Sequence, residues 1–126
     1  MWMLMALVLL SGTVVEGTTV PFTRGINLTQ WLQAPGVRQV QFSRFTREDL
    51  VDIQSLGIDV IRLPVNLPGM TGPDPDFTVD PLLFFFLDQI VDWTGELGLQ
   101  LILENHPASQ ASTAADVDRS LLPVWQ

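Results

Sequence analysis

Apolar positions change their spacing along the chain in a way that separates helices from strands. Leu50, Ile53 and Leu56 recur at helical spacing. Thr46 with Asp49 three residues later forms a capping-box-like start, and Gly57 stops the run. Ile58 to Val65 (IDVIRLPV) is β-branched and apolar with Pro64 at its exit, the pattern of a strand. A Pro- and Gly-rich loop, Gly69 to Asp80, leads to a second helix that opens at Pro81 and reaches Gly98. Leu99 to Leu103 reads as another strand, and Thr113 to Gln126 begins a third helical pattern. Arg24 to Leu28 (RGINL) supplies a first strand. Strand and helix thus alternate three times, which predicts an α/β fold with a parallel sheet and crossover helices.

The strands read as continuously apolar, as strands covered on both faces do. Three such units make a thin sheet with open edges, so a larger, truncated structure is expected. Val124, Trp125 and Gln126 carry no helix stop signal, in keeping with that expectation. On the second helix Phe84, Phe85, Phe86 and Trp93 are expected in the core, and Asp88 and Asp92 on a solvated face.

Composition then narrows the function. With 47% hydrophobic residues in 126 positions, the chain has enough apolar surface for a packed domain. Acidic residues outnumber basic ones 14 to 6, a net charge of -8, and the six scattered arginines form no phosphate-binding cluster, which argues against nucleic acid as a partner. There is no Cys, so neither a disulfide framework nor a thiolate metal site is available. Met1 to Leu10 is wholly apolar, too short to span a bilayer, and followed by small residues at Val15 to Gly17. Residues 1–17 are therefore expected to be a signal peptide of a secreted protein, although no Lys or Arg precedes the apolar run; the other reading is a buried strand.

Candidate chemistry lies where strands turn polar. Period-two alternation places Glu104 and His106, the single histidine, on the face of Ile102, with Leu101 and Leu103 facing the helices. Arg62 likewise shares a face with Val60, and Asn27 with Gly25. Polar groups at the carboxyl ends of successive parallel strands converge on one side, where barrels and open sheets build their sites. Arg62 and His106 are expected at the same end, with Glu104 one layer deeper and within ion-pair reach of Arg62. That pair has a purely structural reading too, because a buried guanidinium needs a partner. Trp31 either stacks on a sugar ring or caps the barrel mouth. Glu104 and His106 on one strand do not complete a metal site, and neither metal nor cofactor is expected. The Asn27-Leu28-Thr29 sequon lies at a strand end and is expected to remain unmodified.

RGINLTQW, FTREDLVDIQSLGIDVIRLPV, LDQIVDWTGELGLQLILENH and LLPVWQ together resemble the first part of glycoside hydrolase family 5, the cellulase and mannanase family. The resemblance implies the first three βα units of a (β/α)8 TIM-type barrel, truncated, in residues 18–126 of a retaining enzyme. Such enzymes hydrolyse β-linked polysaccharide with two glutamates, one after an Asn at the end of strand four and one ending strand seven, and neither position falls in these residues. It further implies that Arg62 hydrogen-bonds the nucleophile, that His106 lines the subsite at the cleavage point and that Asn105 is its neighbour. Glu104 stands where the family usually has Asp. The reading from another class is a non-catalytic carbohydrate-binding or self-associating half barrel.

Overall fold

A computed structural model describes residues 19–73 and 75–107. Its principal elements run β1 (Gly25–Asn27), α1 (Arg47–Ser55), β2 (Val60–Val65), α2 (Pro81–Leu97) and β3 (Gln100–Asn105). Short 3-10 turns at Val37–Gln39 and Phe42–Arg44 lie between β1 and α1, and another at Leu67–Met70 follows β2. The strands form one parallel sheet in the order β1-β2-β3, each pair joined by a crossover helix. This is the expected α/β alternation. Residues 1–17, expected to be a signal peptide, and the helical pattern expected from Thr113 onward lie outside the described residues.

Local chemistry sets the helix limits. The Thr46 backbone N–H donates to Asp49 Oδ2 at 2.7 Å and the Asp49 N–H donates to Thr46 Oγ1 at 3.4 Å, so a complete capping box opens α1. Asp80 accepts from the Leu82 N–H at 2.9 Å to cap α2, with Pro81 in the first turn. Gly57 and Gly98 follow the two helices at φ 79° and 67°, left-handed conformations that a side chain would strain.

Alternation in β2 divides the sheet into two sides. Ile61 and Leu63 point into the helical layer and are buried against Leu50 of α1 and Leu83 and Ile90 of α2. Burial of each such side chain is worth roughly 1.5–3 kcal/mol relative to exposure. Arg62, between them, points to the opposite side. β2 is the sheet's central strand, whereas β3 has a neighbour on one side only among the described residues. Its expected burial on both faces is accordingly not realised: Leu101 packs on the core, while Ile102 and Leu103 are 40% and 44% exposed.

The three consecutive phenylalanines of α2 do not all join the core. Helical neighbours are rotated about 100° apart, so one face can collect only one of them. Phe86 does so, its ring stacked 4.5 Å from Phe42, which also meets Trp93 at 5.8 Å. Phe84 and Phe85 are 53% and 61% exposed. The loop after β2 is also more ordered than its composition suggests, since Thr71 and Val79 form an antiparallel bridge and the Gly72 N–H donates to the Thr78 carbonyl at 2.8 Å.

At the amino-terminal edge of the sheet Asp59 fastens β1 to β2. Its carboxylate accepts from the Thr23 N–H at 2.7 Å, the Thr23 hydroxyl at 2.8 Å and the Arg24 N–H at 2.8 Å. The Arg24 amide holds the Asp59 carboxyl below its ordinary value of 3.8; desolvation opposes this next in size, and the Thr23 hydroxyl and amide add to the lowering.

Candidate functional site

The opposite, carboxyl-terminal end of the sheet carries the polar cluster. Register sets Asn27, Arg62 and Ile102 side by side across the three strands. Arg62 Nη1 donates to Asn27 Oδ1 at 3.2 Å, and Nη2 makes an ion pair with Glu104 Oε2. The second oxygen of Glu104 lies 3.3 Å from His106 Nδ1. The His106 backbone N–H donates to the Val65 carbonyl at 2.7 Å, which ties the end of β3 to the end of β2. Three strand side chains and His106, which directly follows β3, are thereby linked in one hydrogen-bonded line, Asn27, Arg62, Glu104, His106.

Their levels differ from expectation in one respect. Glu104 is registered with Pro64, one layer above Arg62, and His106 is a further layer above. With a rise of about 3.3 Å per residue, Arg62 and His106 start some four residues, or about 13 Å, apart along the strand direction. Arg62 is thus not level with His106. Glu104 bridges the two levels, with Oε2 on the Arg62 guanidinium and Oε1 facing His106 Nδ1. The Arg62 and Glu104 side chains are 38% and 35% exposed. Ion pairs this open contribute about 0–1 kcal/mol, so the pair is a poor explanation of the sheet's stability. Below the line, Gly25, Ile26, Asn27, Val60, Arg62 and Ile102 surround a cavity of about 200 Å³.

Two of the expected site residues make their contacts outside this line, and of the two readings of Trp31 sugar stacking does not hold. Trp31 is 1% exposed, its indole N–H donates to the Phe42 carbonyl at 3.1 Å, and its ring packs on Phe42 and Phe45 at 5.6 and 5.2 Å. No face of it is open to a sugar. The segment after β1 folds back and covers the indole, a path that residue spacing does not disclose. Asn105 uses its side-chain oxygen to accept from the Leu67 N–H at 3.3 Å, so it holds the loop after β2 rather than joining the Arg62 line.

Asn66, which directly follows β2, was not singled out by the pattern. It is 4% exposed, its Nδ2 donates to the Ala34 carbonyl at 2.9 Å, and its backbone N–H donates to the Leu32 carbonyl at 2.9 Å. It thereby joins the loops that follow β1 and β2 at the mouth of the site. The available signal was the same as for Glu104, a polar residue closing an apolar strand. Gly69 belongs to this joint, because a Cβ there would come within 2.4 Å of Asn66 Nδ2 and 2.6 Å of the Pro35 carbonyl.

Chemically, the line offers a fixed cation, one carboxylate and one imidazole at a strand-end surface, a set suited to gripping hydroxyl groups and steadying a negative charge. It holds a single carboxyl group. Among the described residues, no group of three or more His, Cys, Asp or Glu is arranged to hold a metal ion. Nor is any helix there long and apolar enough to cross a membrane.

Comparison with known proteins gives a consistent result. Residues 19–121 match the cellulase family, glycosyl hydrolase family 5. Endoglucanase C of Acetivibrio thermocellus is 31% identical over 93 residues, 71% of this chain and 26% of that protein. The cellulase/esterase CelE of Acetivibrio thermocellus is 26% identical over 107 residues, 81% of this chain and 13% of that protein. The crystal structure of endoglucanase Cel5A from Thermotoga maritima superimposes with a TM-score of 0.68 at 19% identity, across 81% of this chain and 33% of that one. This chain therefore spans a third or less of each of these proteins. Its three parallel strands and the two crossover helices between them have the fold expected at the start of a (β/α)8 barrel. On the match through residues 19–121, the chain belongs to the cellulase family, glycosyl hydrolase family 5.

Proposed function

We propose that residues 18–126 supply the first three βα units of the catalytic barrel of a retaining β-glycanase, and that Arg62, Asn27, Glu104 and His106 form part of its substrate cleft. The observation that carries this reading is the position of Arg62, held between Asn27 and Glu104 on the side of the sheet away from the helices. Barrel enzymes assemble their sites from residues at the carboxyl ends of several strands.

Retaining hydrolysis needs two carboxyl groups about 5 to 5.5 Å apart, one that gives a proton to the leaving oxygen and one that attacks ionised. Neither reacting carboxyl is among the described residues, and the family resemblance assigns them to strands four and seven of the barrel. The role left to Arg62 is to donate a charge-assisted hydrogen bond that keeps the attacking carboxylate ionised. His106 is assigned to the sugar at the cleavage point. β-Linked glucan is the substrate class, since the matched relatives are a cellulase/esterase and an endoglucanase. Secretion and a part in polysaccharide breakdown suit an enzyme whose substrate is too large to enter a cell, and the apolar run Met1 to Leu10 supports export.

The test uses the complete polypeptide in which this sequence occurs. Given a soluble β-1,4-linked oligosaccharide, it should release product whose first-formed anomer, followed by proton NMR, is β. An α first product, or no hydrolysis of any β-glucan, would refute the proposal.

A further inference from the structure

Glu104 serves two partners at once, with Oε2 on the Arg62 guanidinium and Oε1 facing His106 Nδ1 at 3.3 Å. A carboxylate ion-paired to a guanidinium is ionised and can only accept hydrogen bonds. The ring nitrogen facing it must then carry the proton, and in a neutral imidazole this leaves Nε2 bare. His106 Nε2 has no partner among the described residues. The imidazole is half exposed, its backbone is pinned by the 2.7 Å bond to the Val65 carbonyl, and Glu104 is the one side chain among the described residues that fixes its ring.

We infer that Glu104 is a positioning residue: it selects the Nδ1–H tautomer of His106 and so presents a bare Nε2 as hydrogen-bond acceptor for a hydroxyl of a bound pyranose. The tautomer follows from the geometry alone, while the sugar rests on the function proposed above. The length of the side chain matters to this arrangement. Glu104 starts one layer above Arg62 and one below His106, so its carboxylate has to extend between them. An Asp would hold it closer to the strand by one C–C bond, about 1.5 Å.

Histidine-labelled complete polypeptide decides the matter by long-range proton–nitrogen correlation NMR, the His106 signals being those lost in His106→Asn. The wild type should show a protonated Nδ1 and a bare Nε2 at a pH where the ring is neutral; a protonated Nε2 overturns the inference whether or not any variant folds. In Glu104→Gln the single amide oxygen goes to Arg62 and the NH2 group faces the ring. The tautomer should then switch to Nε2–H, and kcat/KM on a soluble β-glucan should fall by up to about a hundredfold through lost alignment. Glu104→Asp keeps the charge and should keep the Nδ1 proton, with activity between the other two. An unchanged tautomer in Glu104→Gln overturns the inference even where activity falls, because Glu104 would then act through Arg62 alone. A switched tautomer in a polypeptide that hydrolyses no β-glucan upholds the positioning role and removes the proposed function instead.

Discussion

Arg62 pairs with Glu104 although the strand register sets Arg62 opposite Ile102 and Glu104 opposite Pro64. The guanidinium therefore joins two levels of the sheet, Asn27 straight across from it through Nη1 and Glu104 one layer above through Nη2. Both partners are more than one-third exposed, so the pair contributes about 1 kcal/mol or less to folding. Arg62→Met should accordingly lower stability by less than about 1 kcal/mol in urea denaturation. A loss of several kcal/mol would make Arg62 a structural residue first and weaken its assignment to the cleft.

A polypeptide of these 126 residues alone should release no reducing sugar from carboxymethyl cellulose. The polar line contains Glu104 as its one carboxylate, and double displacement takes two. Sustained turnover that disappears in Glu104→Gln would contradict this and make Glu104 a reacting group.

Asp59 gives a pH-dependent contribution at the other end of the sheet. Its carboxyl is held below the ordinary value of 3.8, chiefly by the Arg24 amide and then by Thr23. Because the folded state prefers the ionised form, the contribution is fully present above the unfolded value and is lost as pH falls through the lower folded value. Asp59→Asn should melt at a lower temperature than wild type at pH 7, and the gap should narrow as pH falls from about 4 to 2. A gap that is constant or wider in acid would show that hydrogen bonding to the ionised carboxylate is not what fastens β1 to β2.

The two faces of the helical layer should respond oppositely to substitution. Leu63 is fully buried between β2 and the helices, so Leu63→Ala should cost about 2–5 kcal/mol. Phe84→Gln and Phe85→Gln, on the exposed side of α2, should change stability by about 0.5 kcal/mol or less and reduce self-association in light scattering. Large losses at both phenylalanines would place them in a contact that the exposed helix face does not reveal.

The parts of the fold legible in sequence were those in which several local signals agreed. Thr46 and Asp49, Gly57, and the Pro81 to Gly98 span each mark a helix limit by a cap or a left-handed residue, independently of distant contacts. Alternation was likewise sufficient to put Arg62 and Glu104 on one side of the sheet, since side-chain facing in a strand depends only on parity. Height along the strand was not legible, because it depends on the β2–β3 register and on how far an arginine stem extends. The burial of Trp31, which rules out the stacking reading, and the bond from Asn105 to the loop after β2 were not legible for a related reason. Their partners, Phe42 and Leu67, lie in irregular segments whose path is set by long-range packing. The Phe84 to Phe86 run was read by hydrophobicity where the helical rotation should have divided it.

The account depends most on Arg62 acting in the cleft, and the initial rate of soluble β-glucan hydrolysis by Arg62→Ala in the complete polypeptide tests that most directly. Loss of a preorganised charged donor should lower kcat by about 10²–10³-fold with the fold retained. A rate within twofold of wild type would show that the Arg62–Glu104 pair lies outside the chemistry and would contradict the central claim.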